Sequence, residues 1–368
     1  GTGWNATATD NCTVSSLGYS LTGATSGTGT TLNNVAFNAG MTTVTWTATD
    51  AAGRTASCSF QVNVSDDDNP VISCPVTGQQ NVTTTSGCVY THSGTGWNAT
   101  ATDNCSVSSL SYALSGATTG TGTTLNTVSF NAGLTTVTWT ARDPANNSIT
   151  CSFTVVVADD DNPSVTCPVA GQQNVTTNNG CRYQHSGTGW NATATDNCSV
   201  TSLSYTLSGA TTGTGTNLNN AFFEKGITTV LWSAGDAAGN SVTCSFTVNV
   251  TDDDIPVISC PVSGLQNVTT NNNCSYVHSG TGWNASATDN CSVSSLIYTL
   301  SGATTGTGAT LNNVAFNTGV TTVSWTAADA AGNPASCSFQ VIVADDDNPV
   351  ISCPVSGQQN VNTTSGCT

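Results

Sequence analysis

Basic residues are almost absent from this 368-residue chain, which has four Lys or Arg against 21 Asp or Glu and a formal net charge of −17. Nucleic-acid binding needs a basic surface that neutralises phosphates, so this charge balance excludes it. The same shortage removes the basic flank that binds an anionic membrane surface. No apolar run approaches the ~18 residues that span a bilayer, so we expect no membrane insertion in this segment. No stretch shows the period of an amphipathic helix.

The sequence is a tandem repeat with a period of 93 residues. The segment GTGWNA begins at Gly1 and recurs at Gly94, Gly187 and Gly280 without insertion or deletion. Residues 1–93 and 94–186 are identical at 67 of 93 positions. A unit of this length is a whole domain, so the chain is an array of similar domains.

Acidic linkers mark the predicted domain boundaries. They have the sequence DDDNP or DDDIP and occupy residues 66–70, 159–163, 252–256 and 345–349. Proline interrupts the hydrogen bonding of a strand, so each linker should end one domain and begin the next. The predicted domains, which we call the first to fourth repeats, are 1–68 (partial, without its first strand), 69–161, 162–254 and 255–347. Residues 348–368 should supply the first strand of a further domain, as expected for a window on a longer array.

Alternation of apolar and polar residues predicts β-strands throughout. In TTVTWTATD, Val44, Trp46 and Ala48 alternate with threonines, and CSFQVNV alternates in the same way after a DAAGR turn. This period of two is typical of half-buried antiparallel strands. Other short strands are predicted at 71–76, 81–84, 89–101, 110–114 and 125–130. Seven short strands per repeat predict an all-β protein of tandem immunoglobulin-like β-sandwich domains arranged end to end, with Trp97 and Trp139 in the core.

All 16 cysteines follow the period. Four classes begin at Cys12, Cys58, Cys74 and Cys88, and each recurs three times at intervals of 93. Four cysteines per repeat predict two disulfides per domain and an extracellular, oxidising compartment. Zinc would require closely spaced cysteine pairs, which the sequence lacks. Four cysteines allow three pairings, and the residues alone leave these open.

The order NPVISCP, GC, ATATDNC, FNAGLTTVTWTARDPANN and CSFTVVV resembles the hyalin repeat (HYR) domain over all 93 residues of a unit. The resemblance implies an immunoglobulin-like, non-catalytic domain with an adhesive or spacer role at the cell surface. Near-identical repeats with few basic residues look more like a large Bacteroidetes-type surface adhesin than an animal protein. The resemblance also implies the pairs Cys74–Cys151, Cys167–Cys244 and Cys260–Cys337, which leave Cys88–Cys105, Cys181–Cys198 and Cys274–Cys291; the alternative is Cys74–Cys88 with Cys105–Cys151.

Aspartates are the most informative polar residues. Each repeat contains five, which account for 20 of the 21 acids. In an immunoglobulin-like topology, the DNC loop and the hairpin after TTVTWTA lie at the end where the first strand enters, so their aspartates should meet the preceding linker. Clustered carboxylates repel without a cation, and oxygen ligands in irregular loops suit Ca²⁺. The linker also resembles the D-x-N-D-N-P linkers of cadherins.

The predicted Ca²⁺ ligands at successive junctions are Asp66, Asp67, Asp68, Asp103 and Asp143; Asp159, Asp160, Asp161, Asp196 and Asp236; and Asp252, Asp253, Asp254, Asp289 and Asp329. The alternative is a solvated acidic spacer without a bound ion.

The functional expectation is a semi-rigid stalk or filament segment of a secreted cell-surface adhesin, whose partners are neighbouring repeats of the same long chain. Its uncharged, Thr-rich strands leave lateral self-association open. Two alternatives are repeats that bind polysaccharide or a partner protein, and the accessory region of a secreted enzyme. His92, His185 and His278 each lack a second His nearby, and the G-x-G segments lack a following helix and Lys, so we predict no catalytic or phosphate-binding site.

Overall fold

The computed structural model describes residues 2–361, and its regular secondary structure is almost entirely β-strand. Within that range the one helical element is a 3-10 turn at Thr2–Trp4. The residues form two compact units. The first contains residues up to 163 together with 195–200 and 236–240, and the second contains 164–194, 201–235 and the described residues from 241 onward.

The first repeat, in the first unit, forms a single four-stranded antiparallel sheet. Its strands are β1 (Val14–Gly23), β2 (Gly27–Gly29), β3 (Gly40–Asp50) and β4 (Thr55–Val64). Their order is β2-β1-β3-β4, which leaves β4 at the edge. Val44 and Trp46 on β3 are buried, and the ring of Tyr19 packs edge-on against Trp46.

The second repeat, also in the first unit, has a five-stranded sheet and two short strand pairs. Its strands are β5 (Val71–Ser73), β6 (Gln79–Thr83), β7 (Val89–Thr91), β8 (Thr100–Thr102), β9 (Ser109–Gly116), β10 (Gly120–Gly122), β11 (Ser129–Asn131), β12 (Gly133–Arg142) and β13 (Ser148–Ala158). The main sheet has the order β10-β9-β12-β13-β6, with β6 parallel to β13. The other pairs are β5 with β8 and β7 with β11.

The third repeat repeats this pattern. Its strands are β14 (Ser164–Thr166), β15 (Gln172–Thr176), β16 (Arg182–Gln184), β17 (Thr193–Thr195), β18 (Val200–Gly209), β19 (Gly213–Gly215), β20 (Phe222–Glu224), β21 (Gly226–Asp236) and β22 (Ser241–Thr251). The main sheet has the order β15-β22-β21-β18-β19.

The fourth repeat, in the second unit, has the same arrangement. Its strands are β23 (Val257–Ser259), β24 (Leu265–Thr269), β25 (Ser275–Val277), β26 (Ser286–Thr288), β27 (Val293–Gly302), β28 (Gly306–Gly308), β29 (Ala315–Asn317), β30 (Gly319–Asp329) and β31 (Pro334–Ala344). Its main sheet has the order β24-β31-β30-β27-β28. The all-β, tandem immunoglobulin-like prediction is therefore confirmed.

The predicted alternation of faces creates the core of each repeat. On β12, Val137, Trp139 and Ala141 are fully buried and alternate with threonines. Tyr112 on β9 packs edge-on against Trp139, with ring centroids 5.3 Å apart. Trp139 is thus a core residue, as predicted, because its side chain is fully buried.

Close packing of the same tyrosine explains one Gly of the G-x-G segment. A Cβ added at Gly122 would lie 2.7 Å from the Tyr112 hydroxyl oxygen, nearer than two such atoms can approach. The glycine therefore serves close backbone approach to an aromatic ring.

The predicted strand 89–101 is two strands in the structure. Strand β7 ends at Thr91, the chain turns at Gly94, whose φ of 92° suits glycine, and β8 begins only at Thr100. Trp97 lies in the intervening loop and stacks on His92, with ring centroids 3.9 Å apart. The predicted continuous strand is therefore interrupted by a loop, and the Trp97 side chain packs against His92 from that loop.

Residues 348–361 contain no strand, in contrast to the predicted first strand of a further domain. In the second repeat the equivalent strand β5 pairs with β8, about 30 residues downstream. The rest of that predicted segment, 362–368, lies outside the described residues.

Candidate metal centres

Three separate elements bring aspartates together at the end of the second repeat where β5 enters. Asp66 comes from the linker, Asp103 from the DNC loop and Asp143 from the hairpin between β12 and β13. Each offers a carboxylate oxygen, and these oxygens lie within 4.8 Å of one another. Asp159, Asp196 and Asp236 form the same group 93 residues later, also within the first unit.

The hairpin aspartate is held in place by an asparagine of its own turn. The Asn147 backbone N–H donates to Asp143 Oδ1 (2.8 Å), and Asn147 Nδ2 donates to Asp143 Oδ2 (2.7 Å). The same Nδ2 donates to the Asp66 carbonyl oxygen at 2.9 Å, so this amide joins the hairpin to the linker. Asn240 makes the equivalent bonds to the carbonyl oxygens of Asp159 and Asp161.

The DNC loop orients its carboxylate in the same local way. Backbone N–H groups of Cys105 and Ser106 donate to Asp103 Oδ1, at 3.0 and 3.1 Å. Neither Asp103 Oδ2 nor Asp66 Oδ2 receives a hydrogen bond from an N–H or O–H group, although both atoms are buried. Two unpaired carboxylate oxygens at close range repel each other, so a cation between them would be stabilising. Asp196 Oδ1 is unpartnered in the second cluster.

Of the five aspartates predicted at each junction, the structure brings three together at the first two. The middle linker residues, Asp67 and Asp160, are exposed and lie outside the clusters. The last linker residues instead accept hydrogen bonds from the DNC asparagine: Asn104 Nδ2 donates to Asp68 Oδ2 and Asn197 Nδ2 to Asp161 Oδ2, both at 2.7 Å. These aspartates thus anchor the linker to the loop.

The third cluster, in the second unit, is different. It contains Asp252, Asp289 and Cys291, but the Cys291 sulfur belongs to a disulfide and is not a thiolate ligand. Lys225 Nζ lies 3.6 Å from Asp252 Oδ2, and the Asp252 side chain is fully shielded from solvent. Asp253 is exposed, and Asp254 accepts from Asn290 Nδ2 at 2.7 Å. The structure does not place Asp329 in this cluster.

Asp236 and Asp329 are ionised and accept hydrogen bonds from the residues of their own hairpin turns. Burial alone would raise the pKa of each, but hydrogen bonds from Asn240 and from Asn333, with further backbone N–H groups of each turn, outweigh it and lower the pKa below its ordinary value. Both groups are therefore charged at neutral pH.

Within each of the second, third and fourth repeats, one disulfide joins the start of the repeat to its last strand. The structure contains Cys74–Cys151, Cys167–Cys244 and Cys260–Cys337, the three pairs that the resemblance implied. Cys151 lies on β13 opposite Trp139 of β12. The bridge thus closes the sandwich beside its central tryptophan.

The remaining predicted pairs, Cys88–Cys105, Cys181–Cys198 and Cys274–Cys291, are wrong. The structure instead joins Cys88 to Cys198 and Cys181 to Cys291, each 110 residues apart. Cys88 and Cys105 lie at opposite ends of the second repeat. Cys105 lies beside Asp66 at one end. The loop that contains Cys88 lies near Asp161 at the other end, where Thr84 Oγ1 donates a hydrogen bond to Asp161. Cys88 therefore meets the DNC loop of the following repeat.

Five cysteines among residues 2–361 have no disulfide partner: Cys12, Cys58, Cys105, Cys274 and Cys353. The pKa of the Cys105 thiol is raised above its ordinary value, first by its contact with the Asp66 acceptor, then by burial and by the charges of Asp66, Asp103 and Asp143. A thiol with a raised pKa is a weaker nucleophile at neutral pH.

The histidines belong to the core. His92, His185 and His278 are buried and stacked on Trp97, Trp190 and Trp283, and burial lowers the pKa of each.

Sequence reasoning missed the residues that hold the aspartates. These are the asparagines of the DNC loops, the hairpin asparagines and Lys225. The sequence contained a signal for two of these three: the DNC asparagine occurs in every repeat, and Lys225 is the chain's one lysine. Neither signal states which carboxylate the side chain meets.

Comparison with known proteins supports the HYR resemblance. Residues 17–64 and 251–343 match the HYR domain family. Hyalin from Lytechinus variegatus is 30% identical over 339 residues, covering 86% of this chain and 55% of the relative. Hyalin from Strongylocentrotus purpuratus is also 30% identical, covering 86% and 24%. The chain thus spans about half of one relative and a quarter of the other, and neither supports a Bacteroidetes-type adhesin.

Solved structures with a similar arrangement include the protocadherin gammaB4 extracellular domain (TM-score 0.33, 18% identity, 88% of this chain and 59% of that one) and Drosophila N-cadherin EC1-4 (TM-score 0.28, 13% identity, 94% and 95%). Likeness at these scores carries no argument about function. Among the described residues, none forms a helix with the length and apolar character that crossing a membrane requires. Five disulfides indicate an oxidising compartment. The chain is therefore an extracellular protein, and its residues 17–64 and 251–343 are similar to the HYR domain family.

Proposed function

We propose that this chain is a structural, non-catalytic stalk or filament segment of an extracellular adhesion protein, and that Ca²⁺ bound at its linkers stiffens it. The observation that carries the proposal is the convergence of linker, loop and hairpin carboxylates at Asp66, Asp103 and Asp143, with buried oxygens that no hydrogen bond satisfies.

The chemistry of the donors favours Ca²⁺. The clusters at Asp66 and at Asp159 contain only oxygen ligands, drawn from irregular segments with backbone carbonyls close by. Ca²⁺ accepts six to eight such ligands at about 2.3–2.6 Å in flexible geometry, whereas Mg²⁺ prefers a strict octahedron that retains water. Asp66, Asp103 and Asp143 would bind one ion, and Asp159, Asp196 and Asp236 a second.

An ion at either cluster would tie the linker to the loops of the repeat that follows it. Six residues, 65–70, separate the end of β4 from the start of β5, so little chain separates the tied groups. The bonds from Asn104 to Asp68 and from Asn147 to the Asp66 carbonyl already fix the linker path. The Cys88–Cys198 bridge adds a covalent tie beside the second cluster. Resistance to bending at the linkers is what a spacer function requires.

Calorimetric titration of the whole chain with Ca²⁺ tests the binding. Asp103→Asn should remove the ion at the first cluster, because it takes away a carboxylate charge. Asp67→Asn is the matched control, since it removes the same charge from an exposed linker residue outside the cluster. Equal loss of binding in both variants, or no uptake by the unmodified chain, would contradict the proposal.

Limited proteolysis at residues 66–70 tests the stiffening. Ca²⁺ should slow cleavage of this linker in the unmodified chain and in Asp67→Asn, and it should not do so in Asp103→Asn. Protection that is independent of Ca²⁺ would assign the rigidity of the linker to its hydrogen bonds alone.

A further inference from the structure

The main sheets of the second, third and fourth repeats each end in an edge strand without charge. Strands β6, β15 and β24 lie at one edge of their sheets, and among the described residues no further strand pairs with their outer side. Their sequences are QQNVT, QQNVT and LQNVT, with no charged residue and no proline. Soluble proteins usually protect such edges with charge, proline or a covering segment, because an open edge pairs with another chain. These strands carry none of those residues.

The middle residue of each edge strand begins the sequence Asn-Val-Thr, which is an acceptor for N-linked glycosylation in secreted proteins. The three asparagines are Asn81, Asn174 and Asn267. Exposed and half-buried residues alternate along each strand, and the Asn and the Thr two residues later are both exposed. Residues i and i+2 of a strand share a face, so the carboxamide and the hydroxyl are presented together to solvent.

Two other Asn-x-Ser/Thr sequences recur in all three of these repeats, but the fold uses their amides. In the second repeat they begin at Asn98 and Asn104. Asn98 Nδ2 donates to Thr124 Oγ1 at 3.0 Å, and Asn98 Oδ1 accepts from the backbone N–H of buried Leu125 at 2.8 Å. Asn104 Nδ2 donates to Asp68 Oδ2 at 2.7 Å. A sugar on either nitrogen would compete with a hydrogen bond of the fold. The equivalent Nδ2 atoms of the third and fourth repeats also donate; they belong to Asn191, Asn197, Asn284 and Asn290.

The edge-strand amides have a different environment. Asn81 Oδ1 accepts from Gln79 Nε2, and Asn174 Oδ1 accepts from Gln172 Nε2, both at 2.6 Å. The Nδ2 atoms of Asn81, Asn174 and Asn267 donate no hydrogen bond among residues 2–361. Of the three recurring sequences, the edge-strand one is therefore the one whose amide nitrogen is both exposed and free to carry a sugar.

We propose that Asn81, Asn174 and Asn267 carry N-linked oligosaccharides, and that these glycans cover the open sheet edges and keep neighbouring chains apart. A bulky, hydrated glycan at the middle of a five-residue edge strand prevents another strand from pairing along it. The glycans thus supply the edge protection that charged residues supply in other sheets.

The donor in this modification is an oligosaccharide linked through a diphosphate to a polyprenyl lipid. The Asn Nδ2 atom forms a bond to C1 of the first sugar, and the bond between C1 and the phosphate oxygen breaks. The lipid diphosphate leaves, and the proton lost from Nδ2 leaves with it. No group is oxidised or reduced.

Site occupancy is measured on the chain secreted by cultured animal cells. An amidase that releases N-linked glycans in heavy-oxygen water converts each occupied asparagine into a labelled aspartate, which peptide mass spectrometry locates. We expect label at Asn81, Asn174 and Asn267, and none at Asn98 or Asn104. Absence of label at the three edge-strand asparagines, or equal label at Asn98, would overturn the proposal.

The covering role is measured by light scattering at matched protein concentrations. The combined variant keeps each amide and removes each acceptor, so the mean mass in solution should at least double; its changes are Asn81→Gln, Asn174→Gln and Asn267→Gln. The matched control keeps the acceptor sequence as Asn-Val-Ser, so its mass should not change; its substitutions are Thr83→Ser, Thr176→Ser and Thr269→Ser. Enzymatic release of the glycans from the folded chain repeats the comparison without any substitution. A chain without glycans whose mean mass equals that of the glycosylated chain would overturn the covering role.

Discussion

The clusters at Asp66 and at Asp252 arise from the same repeat positions but are neutralised differently. At Asp66, three carboxylates converge, two of their oxygens lack a hydrogen-bond partner, and Cys105 beside them has no disulfide partner among residues 2–361. At Asp252, the Lys225 ammonium lies 3.6 Å from the carboxylate, and the equivalent cysteine is bridged to Cys181. The cluster at Asp159 is intermediate, with the bridge to Cys88 and no lysine.

The comparison teaches that a repeated acidic pattern does not imply repeated ion binding. An ammonium group beside a buried carboxylate supplies the positive charge that a metal would otherwise bring, at the cost of ordering one side chain. A disulfide supplies the connection between successive repeats that a shared ion would otherwise bring. The cluster at Asp66 has Ala39 at the position of Lys225, so it depends more on a bound cation than the cluster at Asp252 does.

The largest expected effect is the loss of unfolding free energy when the disulfide between two repeats is removed. Replacing both Cys181 and Cys291 by Ser should lower the free energy of unfolding of the repeats they join by about 2–4 kcal/mol, because a bridge across a long loop restricts the unfolded chain. Cys105→Ser breaks no disulfide of residues 2–361, so it should change this free energy by less than about 0.5 kcal/mol. Denaturant unfolding followed by the fluorescence of the buried tryptophans measures both. Equal effects of the two replacements would break the comparison.

The second prediction concerns the group that supplies positive charge to each cluster, which is either the Lys225 ammonium or a bound cation. Lys225→Ala should raise the affinity of the Asp252 cluster for Ca²⁺ by about tenfold or more, since two unit charges about 4 Å apart near a protein surface interact by about 4 kcal/mol. Ala39 stands at the position of Lys225 in the first repeat. Ala39→Lys should therefore weaken Ca²⁺ binding at Asp66 by a similar factor.

Calorimetric titration of both variants measures this exchange, with Thr318→Lys in the fourth repeat as the control for added charge. If Lys225→Ala takes up no more Ca²⁺ than the unmodified chain, then Lys225 is not what distinguishes the two clusters.

The sequence predicted those features that depend on local pattern. Alternation around Trp139 predicted a buried strand, and the aspartates of linker, DNC loop and hairpin were expected at one end of each sandwich. The disulfides show the limit of this reasoning. The 93-residue period assigned Cys88 and Cys105 to the same repeat. The spacing of cysteines does not show the direction in which a loop points, however, and Cys88 is bonded to Cys198 of the following repeat. In the same way, Lys225 is 27 residues from Asp252, and only the folded sheet brings them together.

The smallest effect distinguishes an aspartate that binds an ion from one that only holds a turn. Because the pKa of Asp329 is lower in the folded than in the unfolded chain, its carboxylate stabilises the fold above pH ~4, and this contribution is lost as the pH falls through the folded pKa. Asp329→Asn should therefore lower the denaturant midpoint slightly at neutral pH, equally with and without Ca²⁺, and the difference from the unmodified chain should vanish in acid. Asp143→Asn, at the Asp66 cluster, should lower the midpoint more when Ca²⁺ is present, because it removes a ligand as well as a turn acceptor. Midpoints measured across pH with and without Ca²⁺ decide the matter: a Ca²⁺-dependent loss in Asp329→Asn would place an ion at the lysine-bearing junction and remove the difference between the two clusters.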